Sequence, residues 1–264
     1  MTTSHVHRVR SADGTSIAFE RLGSGPALIL VEAAAHFRGF SSFGGLAPML
    51  AGHFSVYRYD RRGRGDSSDT LPYAVEREVE DLAALIDDAG GSAALYGFSS
   101  GALLAMHAAA AGLAVTRLAL LEPPLQDAAE ADADAGFTAE LARLVDAGRR
   151  SDAVAYFHAG IGVPEEVVAQ TRETSAWTAM ESVAHTLVYD CAISAATTPR
   201  LLDAVSTPTL VLDSAGSSDD LTGWAAAVAR RLPDATHRSL AGEWHGVADD
   251  VLAPALVEFL TGNG

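Results

Sequence analysis

The sequence predicts an α/β protein with a mostly parallel central sheet and helices on both faces. Three observations carry this prediction. Short continuous apolar runs recur at Ala27–Val31, 93–96, 117–122 and 208–213, each the length of a buried strand. Helix-forming stretches lie between them, so the order runs β, β-α, β-α, β, the alternation of a parallel sheet covered on both sides. One long stretch, 125–200, breaks this rhythm with several helical patterns and no strand, and the alternation then resumes. It reads as an insertion between two strands of one sheet, over the C-terminal strand ends where ligands bind in open α/β folds.

Each element has its own signal. Residues 6–21 alternate and turn at Asp13-Gly14, which predicts an N-terminal hairpin. After the loop 23–26 comes the strand Ala27–Val31, then an irregular segment, 32–45, rich in Gly, Ser and Phe, and a short helix over 46–51. A strand over 54–59 runs into Asp60-Arg61-Arg62-Gly63-Arg64-Gly65-Asp66-Ser67, read as a loop shaped by glycines and arginine–carboxylate pairs. Residues 73–89 place Val75, Val79, Leu82, Leu85 and Ile86 on one helical face, stopped by Gly90-Gly91. Pro123-Pro124 ends the strand over 117–122. Inside the insertion the predicted helices are 137–147, 152–158, 164–172 and 177–192. A strand over 208–213, a helix over 223–232, a strand over 236–240 and a helix over 248–260 complete the chain.

The sharpest local feature is Gly97-Phe98-Ser99-Ser100-Gly101, between the apolar run 93–96 and the helix-forming run 102–111. G-x-S-x-G in that setting is a strand-to-helix turn that lifts the Ser99 hydroxyl clear of the backbone. Cβ atoms at 97 and 101 would collide within so tight a turn. The Ser100 amide, at the helix N-terminus, can donate to a developing oxyanion.

Composition narrows the rest. The 264 residues suffice for one large α/β domain with an insertion, or two small domains. With 34 acidic and 18 basic residues the formal charge is −16, which argues against nucleic acid and anionic membranes as partners. At that charge the short Arg-Gly run does not read as RNA-binding. Every basic residue is arginine, and the absence of lysine excludes Schiff-base chemistry and a Walker A loop. The single cysteine, Cys191, excludes an intramolecular disulfide and a cysteine-based zinc site. No metal or cofactor motif is present, so none is expected. The polar start, Met1-Thr2-Thr3-Ser4-His5, has no signal-peptide core, and no apolar run approaches the roughly 20 residues of a membrane span. The expectation is a cytoplasmic monomer or homodimer.

The elbow at Ser99, the late insertion and the histidine of Glu243-Trp244-His245-Gly246, between the last strand and last helix, together resemble the α/β-hydrolase fold over roughly residues 6–260. Residues 57–67 look like that superfamily's fourth-strand segment, and 241–245 like its G-x-x-H loop. The more specific resemblance is to single-cap bacterial serine hydrolases, some from natural-product pathways. It implies a core of 1–124 and 201–264, a helical cap of 125–200, Ser99 as nucleophile and His245 as general base. Among nine histidines, His245 alone lies in a short loop at the sheet edge where the elbow opens. A serine hydroxyl needs such a base within about 3 Å.

Two departures from the family pattern stand out. The usual His-Gly after the third strand is replaced by Glu32-Ala33-Ala34-Ala35-His36. The second oxyanion amide is then expected from Ala34, or from Ala33 with a small shift, although the loop lacks the glycine that would help it turn. Glu32 would repel an oxyanion unless protonated or turned away, and His36 is either at the pocket rim or solvated. The triad acid also has no unique candidate. The family's usual position after the seventh strand falls on Ser217; Asp219 reaches it only with a two-residue shift, Asp213 ends the strand itself, and Glu122 stands at the tip of the preceding strand. Glu122 and Asp219 carry equal weight, with Asp213 behind them.

The implied function is hydrolysis of an ester, lactone or thioester through an acyl-Ser99 intermediate. The alternatives are a non-hydrolytic tailoring enzyme on the same fold, such as a cyclase or acyl transferase, and a binding module with a silent site. Apolar residues at helical spacing in the insertion, Trp177 and Met180 among them, together with Phe98, are expected to supply packing and part of a pocket for an apolar small-molecule substrate.

Overall fold

The computed structural model describes residues 5–125 and 131–262; the polar residues 1–4 and the first part of the expected insertion, 126–130, lie outside them. Eight strands form one sheet: β1 (His7–Arg10), β2 (Ser16–Leu22), β3 (Ala27–Val31), β4 (Ser55–Tyr59), β5 (Ala93–Phe98), β6 (Val115–Leu121), β7 (Thr209–Ser214) and β8 (Ala235–Leu240). Their spatial order is β1-β2-β4-β3-β5-β6-β7-β8. β2 pairs antiparallel with β1 and β4, and every other neighbouring pair is parallel.

The period-2 geometry of the strands divides the core into two layers. Ile29, Leu95, Leu120 and Val211 face α2 (Val75–Asp88), α3 (Ser100–Ala110) and α10 (Asp219–Arg231). Their neighbours Leu28, Leu30, Tyr96, Leu121 and Leu212 face α1 (Leu46–Leu50) and α11 (Asp249–Leu260) on the other side. α3 is apolar all round and buried along most of its length, which anchors the elbow at the centre of the molecule.

Between β6 and β7 the described chain is helical: α4 (Ala131–Asp146), α5 (Arg150–Gly160), α6 (Glu165–Thr171), α7 (Ser175–Ser182), α8 (Leu187–Ala196) and α9 (Pro199–Asp203). Helices α4 to α8 share a cluster built on Leu141, Val154, Phe157, Trp177, Met180 and Leu187, into which Ala35 of the β3 loop also packs.

The structure corrects three expectations. The predicted single helix over 177–192 is two helices separated by a 3-10 turn, Ala184–Thr186. Val183 leaves helical geometry at φ −114°, ψ 11°, and the Thr186 hydroxyl donates to its carbonyl at 2.8 Å. α10 begins four residues before the predicted 223, because the Ser218 hydroxyl caps the Leu221 N–H. α9 was not expected at all; Pro199 opens it and Thr198 caps it.

The Arg-Gly run lies inside the protein: Arg61, Arg62 and Arg64 are at most 1% exposed. Arg62 grips Asp81 with two bonds of 2.8 Å and reaches Asp13 at 2.9 Å. Arg61 grips Glu78 at 2.7 and 2.8 Å, and both Arg61 and Arg64 reach Asp190 on α8 at 2.7 Å. Burying these charges is tolerable only with such pairing to carboxylates. Among the described residues no helix is long and apolar enough to cross a membrane.

Candidate active site

The elbow forms because β5 and α3 meet with no room for a connecting loop. A Cβ at Gly97 would sit 2.6 Å from the Ala102 Cα, and one at Gly101 would strike the carbonyls of Val31 and Glu32. Only glycine allows β5, α3 and the β3 loop to approach this closely. The consequence falls on Ser99, held at φ 54°, ψ −124° with its N–H donating to Leu121 O at 2.9 Å. Ser100 is the first residue of α3, so its N–H is one of the orphan donors of a helix start.

The strand register decides which acid meets His245. Leu121 pairs with Leu212, and the Glu122 N–H donates to Leu212 O at 2.9 Å. Glu122 therefore leaves β6 beside the end of β7, and the Ser214 N–H donates to its Oε1 at 2.9 Å. His245 Nδ1 lies 2.6 Å from Glu122 Oε2. A carboxylate oxygen accepts, so Nδ1 carries the proton and Nε2 is left as the basic nitrogen. The Phe98 ring packs against the imidazole at 4.8 Å between centroids, joining the elbow to the histidine loop.

Glu122 has no exposure. Burial pushes its carboxyl up, but hydrogen bonds from His245, Ser217 and Ser214 outweigh that and hold it below the ordinary glutamate value. Ser217 is a residue whose part the sequence did not reveal. Its hydroxyl accepts from the His245 backbone N–H at 2.9 Å and hydrogen-bonds Glu122, so it bridges the two residues.

The other two acid candidates lie elsewhere. Asp219 is exposed in the first turn of α10, where the Ser218 cap starts the helix before the chain could present it to His245. Asp213 is buried in β7 and its Oδ2 meets His237 Nε2 of β8 at 2.6 Å.

After β3 the chain turns through Glu32, Ala33, Ala34 and Ala35, with Ala35 at φ 61°. The Glu32 side chain is turned to the Ser41 hydroxyl and the Ser42 N–H. Burial raises its carboxyl to about 7. His36 is half-buried: its Nδ1–H donates to Ala34 O at 2.8 Å, its ring stacks on Phe40, and burial pushes it down to about 4, so the ring is neutral. Ala34 itself is half-buried.

Phe98 lines the imidazole, whereas Trp177 and Met180 are each 4% exposed within the inserted helices. Trp177 Nε1 donates to Ser151 and Glu181, and Arg172 lies over the ring at 5.1 Å, so its edge and one face are occupied by packing.

Backbone strain ties these pieces together. Among the described residues, the non-glycine positions with positive φ are Ala35, Ser99, Glu122 and His245. Such conformations cost about 1–3 kcal/mol each and cluster where function requires them. Here they fall on the β3 loop, the elbow serine, Glu122 and His245.

A mostly parallel sheet of this order, an elbow serine after β5 and a carboxylate–histidine pair across β6 and the β8 loop define an α/β-hydrolase enzyme. A model of the alpha/beta hydrolase family matches residues 23–255, and the chain belongs to that family. It is similar to an alpha/beta hydrolase from Sphaerobacter thermophilus, 47% identical with a TM-score of 0.87, over 96% of this chain and 100% of that one. It shares its fold with the enol-lactonase from Burkholderia xenovorans, at 22% identity and a TM-score of 0.72 over 97% of this chain and 100% of that one. A stretch of 101 residues is 38% identical to the pimeloyl-[acyl-carrier protein] methyl ester esterase of Xanthomonas campestris; it spans 38% of each chain, well under two thirds of that curated relative.

Proposed function

We propose that the protein hydrolyses carboxylic esters, with lactones and thioesters as chemically equivalent substrates, through an acyl-Ser99 intermediate. The observation that carries this is the coincidence of the four strained residues with a Glu122–His245 pair in which the carboxylate meets the imidazole Nδ1 at 2.6 Å.

In this reading Ser99 Oγ attacks the substrate carbonyl carbon as its proton passes to His245 Nε2. Glu122, ionised, supports the resulting imidazolium through Nδ1. The amides of Ser100 and Ala34 receive the tetrahedral oxyanion. Collapse breaks the bond to the leaving group, which takes the proton from Nε2. Water then attacks the acyl carbon, giving one proton to Nε2, and the second collapse returns it to Ser99 Oγ and releases the acid. No metal or cofactor enters these steps. Glu32 turns its carboxyl to Ser41 and Ser42, and burial raises it to about 7, so it brings less opposing charge to the loop than an ordinary glutamate would. The inserted helices act as a cap over the site, and their apolar cluster favours an apolar acyl or aromatic substrate.

The test is labelling with a fluorophosphonate probe, read by peptide mass spectrometry, on wild type, Ser99→Ala and His245→Ala. The expected outcome is a single adduct on Ser99, absent in both variants, with parallel loss of p-nitrophenyl ester turnover. A folded wild type that neither labels nor turns over esters sinks the proposal.

A further inference from the structure

We infer that Asp190, reaching from α8 into the core, is a positioning residue that sets both oxyanion amides through Arg64 and Ser100. The inference rests on the acyl-Ser99 reading above. Asp190 is 3% exposed and its two oxygens do different things. Oδ1 accepts from the Ser100 hydroxyl at 2.8 Å and from Arg61 Nη1 at 2.7 Å. Oδ2 accepts from Arg64 Nη2 at 2.7 Å.

Arg64 then spends its other terminal nitrogen on the β3 loop. Nη1 donates to Ala33 O at 2.7 Å and to His36 O at 3.2 Å. The peptide joining Ala33 to Ala34 is trans, since the cis bond among the described residues is Leu71–Pro72. In a trans peptide the C=O and N–H point in opposite directions. Holding Ala33 O against Arg64 therefore turns the Ala34 N–H away from the arginine, and among the described residues it meets no acceptor. A charged donor on the carbonyl also polarises the peptide and strengthens that N–H as a donor. The loop has no glycine to make this turn unaided, so the arginine fork takes its place. The fork fits because a guanidinium bonds a carboxylate and a carbonyl at once, which an ammonium cannot do in the same geometry.

The same carboxylate fixes the other amide. The Ser100 hydroxyl, bonded to Asp190, locks the first residue of α3, and Arg61 adds a bond to Glu32 O at 3.3 Å on the preceding peptide of the loop. Through the Ser100 hydroxyl and the two arginines, one side chain contributed by the inserted helices thus connects to both sides of the expected oxyanion. Its charge is balanced locally: Arg61 and Arg64 face Glu78 and Asp190.

The experiment compares Arg64→Lys and Asp190→Asn with Arg62→Lys. Arg62 is equally buried and pairs with two carboxylates, Asp81 and Asp13, but has no bond to the β3 loop or the elbow. The readouts are thermal midpoint, kcat and KM on p-nitrophenyl butyrate, the rate of fluorophosphonate labelling, and the Ala34 amide resonance before and after the phosphonyl adduct forms. The expected result is a fall in kcat and labelling rate of about 10²-fold for Arg64→Lys, the cost of one misaimed oxyanion donor, with KM within about twofold. Asp190→Asn should move the same way, and Arg62→Lys should lose comparable thermal stability with kcat kept. The downfield shift of the Ala34 amide on adduct formation, expected in wild type, should disappear in Arg64→Lys. The inference is overturned if folded Arg64→Lys or Asp190→Asn keeps wild-type kcat and the Ala34 shift, or if Arg62→Lys loses as much kcat. Should one of the two variants not fold, the other carries the same comparison. A wild type that forms no Ser99 adduct overturns the functional reading and this role with it, whereas a reactive wild type with unaffected variants overturns this role alone.

Discussion

Two glutamates stand at matching places in the sheet. Glu32 is the residue after β3 and Glu122 the residue after β6; they are 3% and 0% exposed. By burial alone both should be neutral. Yet the Glu32 carboxyl is raised to about 7, while the Glu122 carboxyl is held below its ordinary value. The difference is in what meets the carboxylate. Glu32 has a serine hydroxyl and one amide; Glu122 has an amide, a serine hydroxyl and an imidazole N–H at 2.6 Å. Burial raises both carboxyls, and Glu122 is brought below its ordinary value by its donors, the histidine first among them. In the proposed mechanism each outcome suits its place: the ionised acid supports an imidazolium, and the one with the raised value carries less charge beside the loop that receives an oxyanion.

The largest test of this contrast is Glu122→Gln, which keeps the shape and removes the charge. Ester turnover should fall by about 10³–10⁴-fold, because the imidazole loses its tautomer and its counter-charge. Glu32→Gln should change kcat by no more than a few-fold. A stopped assay with p-nitrophenyl esters on both variants reads the difference directly; equal losses would break the comparison.

Stability against pH should separate the pair next. Glu32 has a folded value raised from 4.5 to about 7. The unfolded chain ionises there first, so as pH rises from about 4.5 to 7 the folded state loses stability, by about 3 kcal/mol in full. Glu32→Gln should therefore match wild type near pH 4.5 and exceed it at pH 8, by denaturation midpoint. Glu122 runs the other way. Its lowered value contributes stability above the unfolded pKa that is lost as pH falls through the folded one, so Glu122→Gln should lack that acid-side loss.

Smaller effects sharpen the assignment. Ser217→Ala removes one hydrogen bond to a charged carboxylate and the acceptor of the His245 N–H, and should lower kcat about 10-fold. Asp219→Asn changes an exposed residue in the first turn of α10 and should leave turnover within about twofold. A loss at Asp219 as large as that at Glu122 would reverse the reading of the two strand ends.

The chain's own periodicities determined the sheet, the elbow and the histidine loop. Apolar runs bounded by turn residues marked the strands, glycines two residues either side of Ser99 marked the elbow, and His245 was singled out by lying between the last strand and last helix. These signals are local, so no partner had to be known to read them. What only the tertiary structure decided was pairing at long range. Glu122 was one of three acids until the register of β6 on β7 set it beside Ser214 and His245, 123 residues further along. The Arg-Gly run was legible as arginine–carboxylate pairs, but nothing near Arg64 points to Asp190, 126 residues away, or to the Ala33 carbonyl that it holds. The charge of a buried carboxyl depends on every donor that the fold brings within 3 Å or so of it, and such a donor set does not exist until the chain has folded.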